Sequence, residues 1–317
     1  MLKTAICDLF GIGHPIIQGG MAHVATAELV SAVSNAGGLG IIGAGNYEPD
    51  WVRQQIRLTR QRTSRPFGVN ILLTSPLAKQ VVEVVLAEKV VVVAFGAGNP
   101  AAYISRFKQA GVKVMPVVSD VAMAMRLEQA GADAIVAEGM ESGGEVGETT
   151  TIALLPQVVD SVQIPVVAAG GIGDGRGLAA ALALGARGVQ MGTRFICSDE
   201  CVAHPKYKER ILKAGDRSTV VTGQSIGNRL RCLENKLTRQ FLALEKAGAT
   251  KQELDLFTRG RVYLGLIEGD VSDGSLLSGQ IAGLIKEVKP VRVIIEEIVA
   301  EAEAIIATLR QGRISCG

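Results

Sequence analysis

From residue 16 to about 195 the chain repeats one pattern. A short, continuously apolar run ends in Gly or Asn, and an amphipathic stretch follows. The apolar runs are Ile16–Met21, Leu39–Gly43, Phe67–Ile71, Val90–Phe95, Lys113–Val118, Ala134–Gly139, Pro165–Gly171 and Gly188–Phe195, eight in all. Continuous rather than alternating apolarity marks strands buried on both faces of a parallel sheet. The stretches between them have helical spacing. Two of these, Ala27–Asn35 and Ala122–Ala130, run into Gly37-Gly38 and Gly131, which are helix stop signals. Eight strands alternating with helices predict an α/β chain folded as a (β/α)8 TIM barrel. The eighth helix is then Val291–Leu309, opened by Pro290, so the barrel comprises 1–195 and 290–317. Residues 196–289 remain as an insertion after the eighth strand, read as a small, mainly helical lid domain. A doubly wound sheet is the competing fold. Against it, the first strand ends in Gln18-Gly19-Gly20-Met21 without a GxGxxG turn, and no P-loop is present.

Composition narrows the function classes. The 317 residues are 48% apolar and 20% charged, which argues against disorder. A net charge of +2 argues against a nucleic-acid partner. No basic-then-apolar leader opens the chain, and no apolar run approaches the roughly 18 residues of a membrane span, so no membrane partner is expected. Cys7, Cys197, Cys201, Cys232 and Cys316 are odd in number and lack a secretory context, which reads as reduced thiols in the cytoplasm. Three histidines, His14, His23 and His204, without an HExxH give no zinc site. Cys197, Cys201 and Cys232 would supply three iron–sulfur ligands with no obvious fourth, so no metal is expected. Between Pro205 and Lys246 lie ten Lys or Arg against four Asp or Glu. That run is either a solvated helical face or a basic surface for an anionic partner.

A barrel places its active site at the C-terminal ends of the strands. Those ends read Gly19-Gly20-Met21-Ala22, Gly68-Val69-Asn70, Gly96-Ala97-Gly98-Asn99, Ala137-Glu138-Gly139, Ala169-Gly170-Gly171 and Gln190-Met191-Gly192-Thr193. Small residues there let a ligand approach the backbone and leave N–H groups free. Gly170-Gly171, followed by a helix from Asp174, predicts backbone donors at a helix N-terminus for a phosphate. Gly192-Thr193 adds a second set and a hydroxyl. With neither metal nor clustered histidine, these ends read as a cradle for a phosphate-bearing organic cofactor that carries the chemistry itself. FMN fits, with Asn70 and Gln190 at the ring edge and the glycines at the phosphate.

The same residues resemble a known family. Pro15–Met21, Ala36–Gly40, Pro66–Asn70, Gly96–Pro100, Ala137–Gly139, Ala168–Ile172 and Gln190–Phe195 are similar to the nitronate monooxygenase and enoyl-[acyl-carrier-protein] reductase II family. The resemblance covers nearly the whole chain. His204-Pro205, Tyr207-Lys208, Thr219–Gly223, Leu237–Arg239 and Gly279–Leu284 look closer to the enoyl reductases. It implies an FMN-bearing TIM barrel with an inserted lid. It also implies hydride from NADH or NADPH, reduction of trans-2-enoyl-ACP with acyl carrier protein or a small-molecule substrate as partner, and a homodimer. Some reductase relatives respond to a monovalent cation, and no residue set here decides that. The implied cofactor residues are Gly20, Met21, Ala22, Asn70, Gly96, Glu138, Gly143, Gly144, Ala169, Gly170, Gly171, Gln190, Met191, Gly192 and Thr193.

One departure bears on the chemistry. The family's loop after the sixth strand usually reads Gly-Gly-His-x-Gly, and here it is Gly143-Gly144-Glu145-Val146-Gly147. Glu145 therefore stands at the position of the catalytic histidine. A carboxylate can act as a base, but it can donate to a developing enolate only if burial raises its pKa, so Glu145 is a working replacement with altered substrate choice, a mark of a member that keeps flavin with weak family activity, or a loop residue that faces solvent without a role. The usual Gly-His of the insertion is likewise replaced, by Gly227-Asn228. The expected activity is FMN-dependent, NAD(P)H-linked reduction of trans-2-enoyl-ACP. The alternatives are a nitronate monooxygenase, an NAD(P)H:quinone-type flavin reductase, or a flavin-binding protein without turnover.

Overall fold

The computed structural model describes residues 2–312. Cys316 therefore lies outside the described residues. Eight parallel strands close into a barrel in the order β1 (Ile16–Gln18), β2 (Leu39–Gly43), β3 (Phe67–Leu72), β4 (Val92–Gly96), β5 (Lys113–Val118), β6 (Ile135–Glu138), β8 (Val166–Ala169) and β9 (Gly188–Met191). Ile17 of β1 pairs with both Leu39 of β2 and Gln190 of β9, which closes the ring. All eight predicted strands are present, and a helix follows each of the first seven. Continuous apolarity has the expected cause. Ile16 faces the outer helices and Ile17 the barrel interior, and both are fully buried.

The interior is aliphatic: Ile17, Leu39, Ile41, Val92, Met115, Val136 and Val167 meet there. At its N-terminal end the helix Ala5–Phe10 contributes Ile6, Cys7 and Phe10 to the same cluster and plugs the barrel. The last helix, Val291–Arg310, packs on the helix Gly175–Ala183. Gly175 makes that approach possible, since a Cβ there would sit 2.5 Å from Glu301 Cβ.

Between β9 and the last helix lie the helices Pro205–Leu212, Lys236–Lys246, Lys251–Thr258 and Arg261–Leu266, and the hairpin strands β10 (Thr219–Thr222) and β11 (Leu230–Leu233). Asn235 and Thr250 start two of these helices with reciprocal capping boxes. The hairpin recruits a third strand from the barrel side, β7 (Gly144–Glu145), in the order β10-β11-β7. No apolar run announced β7. Arg194 ties the stems of this segment together: Nη2 donates to the carbonyls of Cys197 and Glu287, at 2.9 and 2.8 Å.

Candidate active site

The C-terminal end of the barrel gathers the small residues of the strand ends. Gly20 crosses the mouth against Asn70, and a Cβ on it would lie 2.3 Å from Asn70 Cβ. Gly96, the last residue of β4, faces the Asn70 carboxamide from the other side. Gly19 lies against Gln190, and Met21 brings its sulfur within 3.4 Å of where a Gly192 Cβ would be. Ala22 follows at the rim, beside Gly45. Met191 and Ala169 turn their side chains into the core, each 2% exposed, so only their backbones face the mouth. Neither the Asn70 nor the Gln190 carboxamide has a hydrogen-bond partner among the described residues. Both donor–acceptor groups are thus available to a ligand in the mouth.

The phosphate cradle differs from its expectation in one respect. The helix N-terminus after Gly171 is already occupied. Asp174 caps it, its carboxylate accepting from Gly177 N at 3.1 Å, and Glu301 Oε2 accepts from Gly175 N at 2.7 Å. Arg176 pairs with Asp174 at the same end, and with Gly175 N and Gly177 N already donating to carboxylates that helix end does not offer them to a phosphate. The donors that remain are the loop N–H groups of Gly170, Gly171, Gly192 and Thr193, none of which bonds a protein acceptor among the described residues. Gly170 and Gly171 hold φ of 94° and 71°, in the left-handed region that glycine favours. The Thr193 hydroxyl accepts from Gly279 N at 3.0 Å and still has a proton to donate. Free donors on neighbouring loops and two unpartnered carboxamides match a phosphate and a heteroaromatic ring edge, so the residues present fit FMN.

The loop after β6 carries the carboxyl groups. Glu141 anchors its base, accepting from Thr151 N at 2.8 Å and Thr151 Oγ1 at 2.9 Å. Thr151 Oγ1 also lies 3.0 Å from the Gly170 carbonyl, so one hydroxyl joins this loop to the β8 loop. Gly139 permits that junction, since a Cβ there would lie 2.1 Å from Thr151 Oγ1. Gly143 passes against the backbone of Ser278 and Gly279, and Gly144 and Glu145 form β7. Burial pushes the Glu138 carboxyl, at the end of β6, up to about 7; the Ser142 hydroxyl nearby pulls it back and the Glu145 charge pushes it further. Glu145 is exposed on β7, and the desolvation it does feel raises its carboxyl above the ordinary range.

On the opposite rim, His23 follows Met21-Ala22 with φ of 66° and places Nδ1 2.8 Å from Tyr47 Oη. Its ring lies edge-on to Tyr47 and to Tyr263 of the inserted segment, and Tyr47 stacks on Trp51. Burial holds the His23 imidazole below its usual pKa. Sequence reasoning missed Glu141, Thr151, Arg231 and this aromatic rim. Their roles come from contacts between distant segments, and no local motif marks them.

Barrel, donor loops and carboxamides define a flavin oxidoreductase. The chain belongs to the nitronate monooxygenase family, whose model matches residues 3–81 and 75–301. Members of that family are FMN-dependent flavoproteins. The chain is similar to FabK from Thermotoga maritima, with 50% identity, 98% of this chain and 99% of that one covered, and a TM-score of 0.96. It is similar to a nitroalkane oxidase from Streptomyces ansochromogenes, 30% identical with a TM-score of 0.85 over 96% and 100% of the two chains. A Mycobacterium tuberculosis relative, a hydroxy-methyl-oxo-octahydroindene-carboxyl-CoA dehydrogenase, is 36% identical over 95% of this chain and 96% of its own. A probable nitronate monooxygenase of Staphylococcus saprophyticus is 37% identical over 76% and 81%.

Proposed function

We propose that this enzyme reduces the double bond of a trans-2-enoyl thioester, carried by acyl carrier protein, with NADH or NADPH as electron source. The observation that carries the reading is the site itself: free donor loops, two unpartnered carboxamides and a desolvated carboxyl at one barrel mouth. The 50% identity to FabK over 98% of the chain supports the enoyl substrate class. Bound FMN supplies hydride exchange with nicotinamide and with the β-carbon. The chain's own residues do the rest. The N–H groups of Gly170, Gly171, Gly192 and Thr193 hold the phosphate, and Asn70 and Gln190 fix the ring edge. Val146 N is engaged by the Arg229 carbonyl at 3.0 Å, whereas Gly143 N has no partner among the described residues and in this reading donates to the thioester oxygen. Glu145, exposed on β7 and with its carboxyl raised above the ordinary range, delivers the proton to the α-carbon. A homodimer in the cytoplasm and a response to a monovalent cation belong to the same reading. Among the described residues, no helix is long and apolar enough to cross a membrane.

A second reading rests on Glu145. An ionised carboxylate beside a thioester α-carbon is a base, which suits dehydrogenation of an acyl-CoA, and the M. tuberculosis relative is a carboxyl-CoA dehydrogenase. Anaerobic NAD(P)H consumption by the FMN-loaded protein separates the two. Consumption far beyond one equivalent of flavin, only with enoyl thioester present, is expected. Flavin reduction that stalls after one equivalent overturns the reductase reading. Bleaching by a saturated acyl-CoA then supports the dehydrogenase, and nitronates and quinones are the next substrates to try.

A further inference from the structure

The loop that carries Glu145 is held at two ends by two different parts of the molecule. Its base belongs to the barrel, through Glu141 and Thr151. Its tip belongs to the inserted segment. Gly144 and Glu145 pair antiparallel with Arg231 and Leu230 of β11, and Val146 N donates to the Arg229 carbonyl at 3.0 Å. Beneath the pairing lies Arg231, only 4% exposed. Its Nε donates to the Met140 carbonyl at 3.0 Å, and its Nη1 donates to Thr219 Oγ1 at 3.0 Å. One guanidinium thus spans the start of the loop, its own strand and β10. A side chain that buried carries a desolvation cost, and burial does push its pKa down. Of the hydrogen bonds that offset the cost, the one to Met140 ties the loop to the hairpin, and the one to Thr219 fixes the guanidinium within the hairpin. None reaches a barrel strand, and the eight strands close without it. On its other flank the loop meets a glycine crossing: Gln280 N donates to the Glu141 carbonyl at 2.9 Å, and a Cβ on Gly279 would lie 2.7 Å from that same carbonyl.

We propose that Arg231 is a positioning residue for Glu145: its fork locks the loop after β6 to the inserted β10–β11 hairpin and so sets where the carboxyl sits over the barrel mouth. The proposal rests on the reading that Glu145 works at the substrate. It also gives the inserted segment a task besides covering the site, since the position of the reacting carboxyl is written on the hairpin. The planar fork is needed because its two donors point at two elements; a Lys ammonium on a flexible stem does not hold that geometry.

The test compares Arg231→Met and Arg231→Lys with the unaltered FMN-loaded protein. Both variants keep the donor loops, so FMN content is expected to be unchanged. Amide exchange at Gly144–Val146 is expected to rise roughly tenfold as the tip opens locally, with exchange in the barrel strands unaltered. Turnover of the enoyl thioester is expected to fall about 10²-fold in kcat with little change in the KM for NAD(P)H, since misplacing a reacting group by an ångström costs that much. The limb of the pH profile that reports Glu145 moves with it, and Arg231→Lys does not rescue either readout. Unchanged loop exchange, or full kcat in Arg231→Met, overturns the proposal. If Arg231→Met does not fold, Thr219→Val removes one anchor while leaving both strands, and the same readouts are expected to change several-fold. Exchange is measured without substrate. A wild-type enzyme inert toward enoyl thioesters would therefore sink the proposed function and still leave the loop lock to be decided.

Discussion

At the scale of single residues, two glycines that look equivalent in the chain are not. A Cβ on Gly170 would lie 2.8 Å from the Gly139 carbonyl, and its φ of 94° disfavours any side chain. A Cβ on Gly192 would meet the flexible Met21 side chain, its sulfur at 3.4 Å and its Cγ at 3.8 Å, and its φ is −112°. Gly170→Ala is therefore expected to lose both flavin and thermal stability, whereas Gly192→Ala folds normally and weakens FMN retention alone. Thermal melts beside flavin stoichiometry separate the two, and equal melting temperatures would remove the steric argument. Glu138 carries a pH signature. Its carboxyl titrates near 7 in the fold against about 4.5 in the unfolded chain, so between these values the native state holds the extra proton. Stability from this group is full below about 4.5 and declines as pH rises through 7. Glu138→Gln is expected to melt above the parent at pH 8 and with it near pH 4.5. A constant offset across that range would show that burial does not perturb this carboxyl.

At the scale of elements, what the sequence made legible was whatever repeats. Eight apolar runs stand out because strands covered on both faces leave few polar positions, and four of the seven helices between them run into a glycine, at Gly37, Gly111, Gly131 and Gly185. β7 was illegible for the same reason in reverse. Two residues, Gly144 and Glu145, carry no periodicity, and their partner Leu230–Leu233 lies far along the chain. The motif Gly143–Gly147 pointed to the loop but not to what holds it. The phosphate reading erred at Asp174 because glycines followed by a helix say where N–H groups are, and not that Asp174 and Glu301 already use them. The N-terminal helix shows an element whose value is entirely tertiary. Ala5–Phe10 is too short to be stable alone and is fixed by inserting Phe10, 2% exposed, into the bottom of the barrel. Phe10→Ala is expected to cost about 3–5 kcal/mol in urea unfolding. FMN should still bind at the opposite end of the barrel while the variant remains folded. A loss below about 1 kcal/mol would mean that the plug carries little of the core.

For the whole molecule, the basic run decides how a carrier would meet the enzyme. A solvated face and a docking surface differ in whether the cations are free. Arg229 pairs with Glu148 at 2.5 Å, Lys236 with Asp273 at 2.9 Å, Arg239 with Glu234 at 3.3 Å and Lys213 with Glu209 at 2.5 Å. Arg217 lies 3.8 Å from Asp216. Lys208, Arg210 and Arg231 point at backbone carbonyls. Of the cations between Pro205 and Lys246, only Lys206 and Lys246 have no carboxylate or carbonyl partner among the described residues. Five of the ten cations are thus matched by a carboxylate; Lys208, Arg210 and Arg231 keep their charge but are held against backbone carbonyls, so the charge free to meet a partner is small and is screened at physiological salt. Recognition of the thioester then rests on the barrel mouth and on the apolar and aromatic rim around His23, Tyr47 and Tyr263. Raising salt from about 50 to about 200 mM is therefore expected to change the KM for an acyl-carrier-protein substrate less than about threefold, because electrostatic docking is what salt screens. Steady-state kinetics with the same enoyl group on acyl carrier protein and on CoA would check this. A tenfold rise confined to the protein-bound substrate would restore the basic run as a docking surface, with Lys206 and Lys246 the first residues to neutralise.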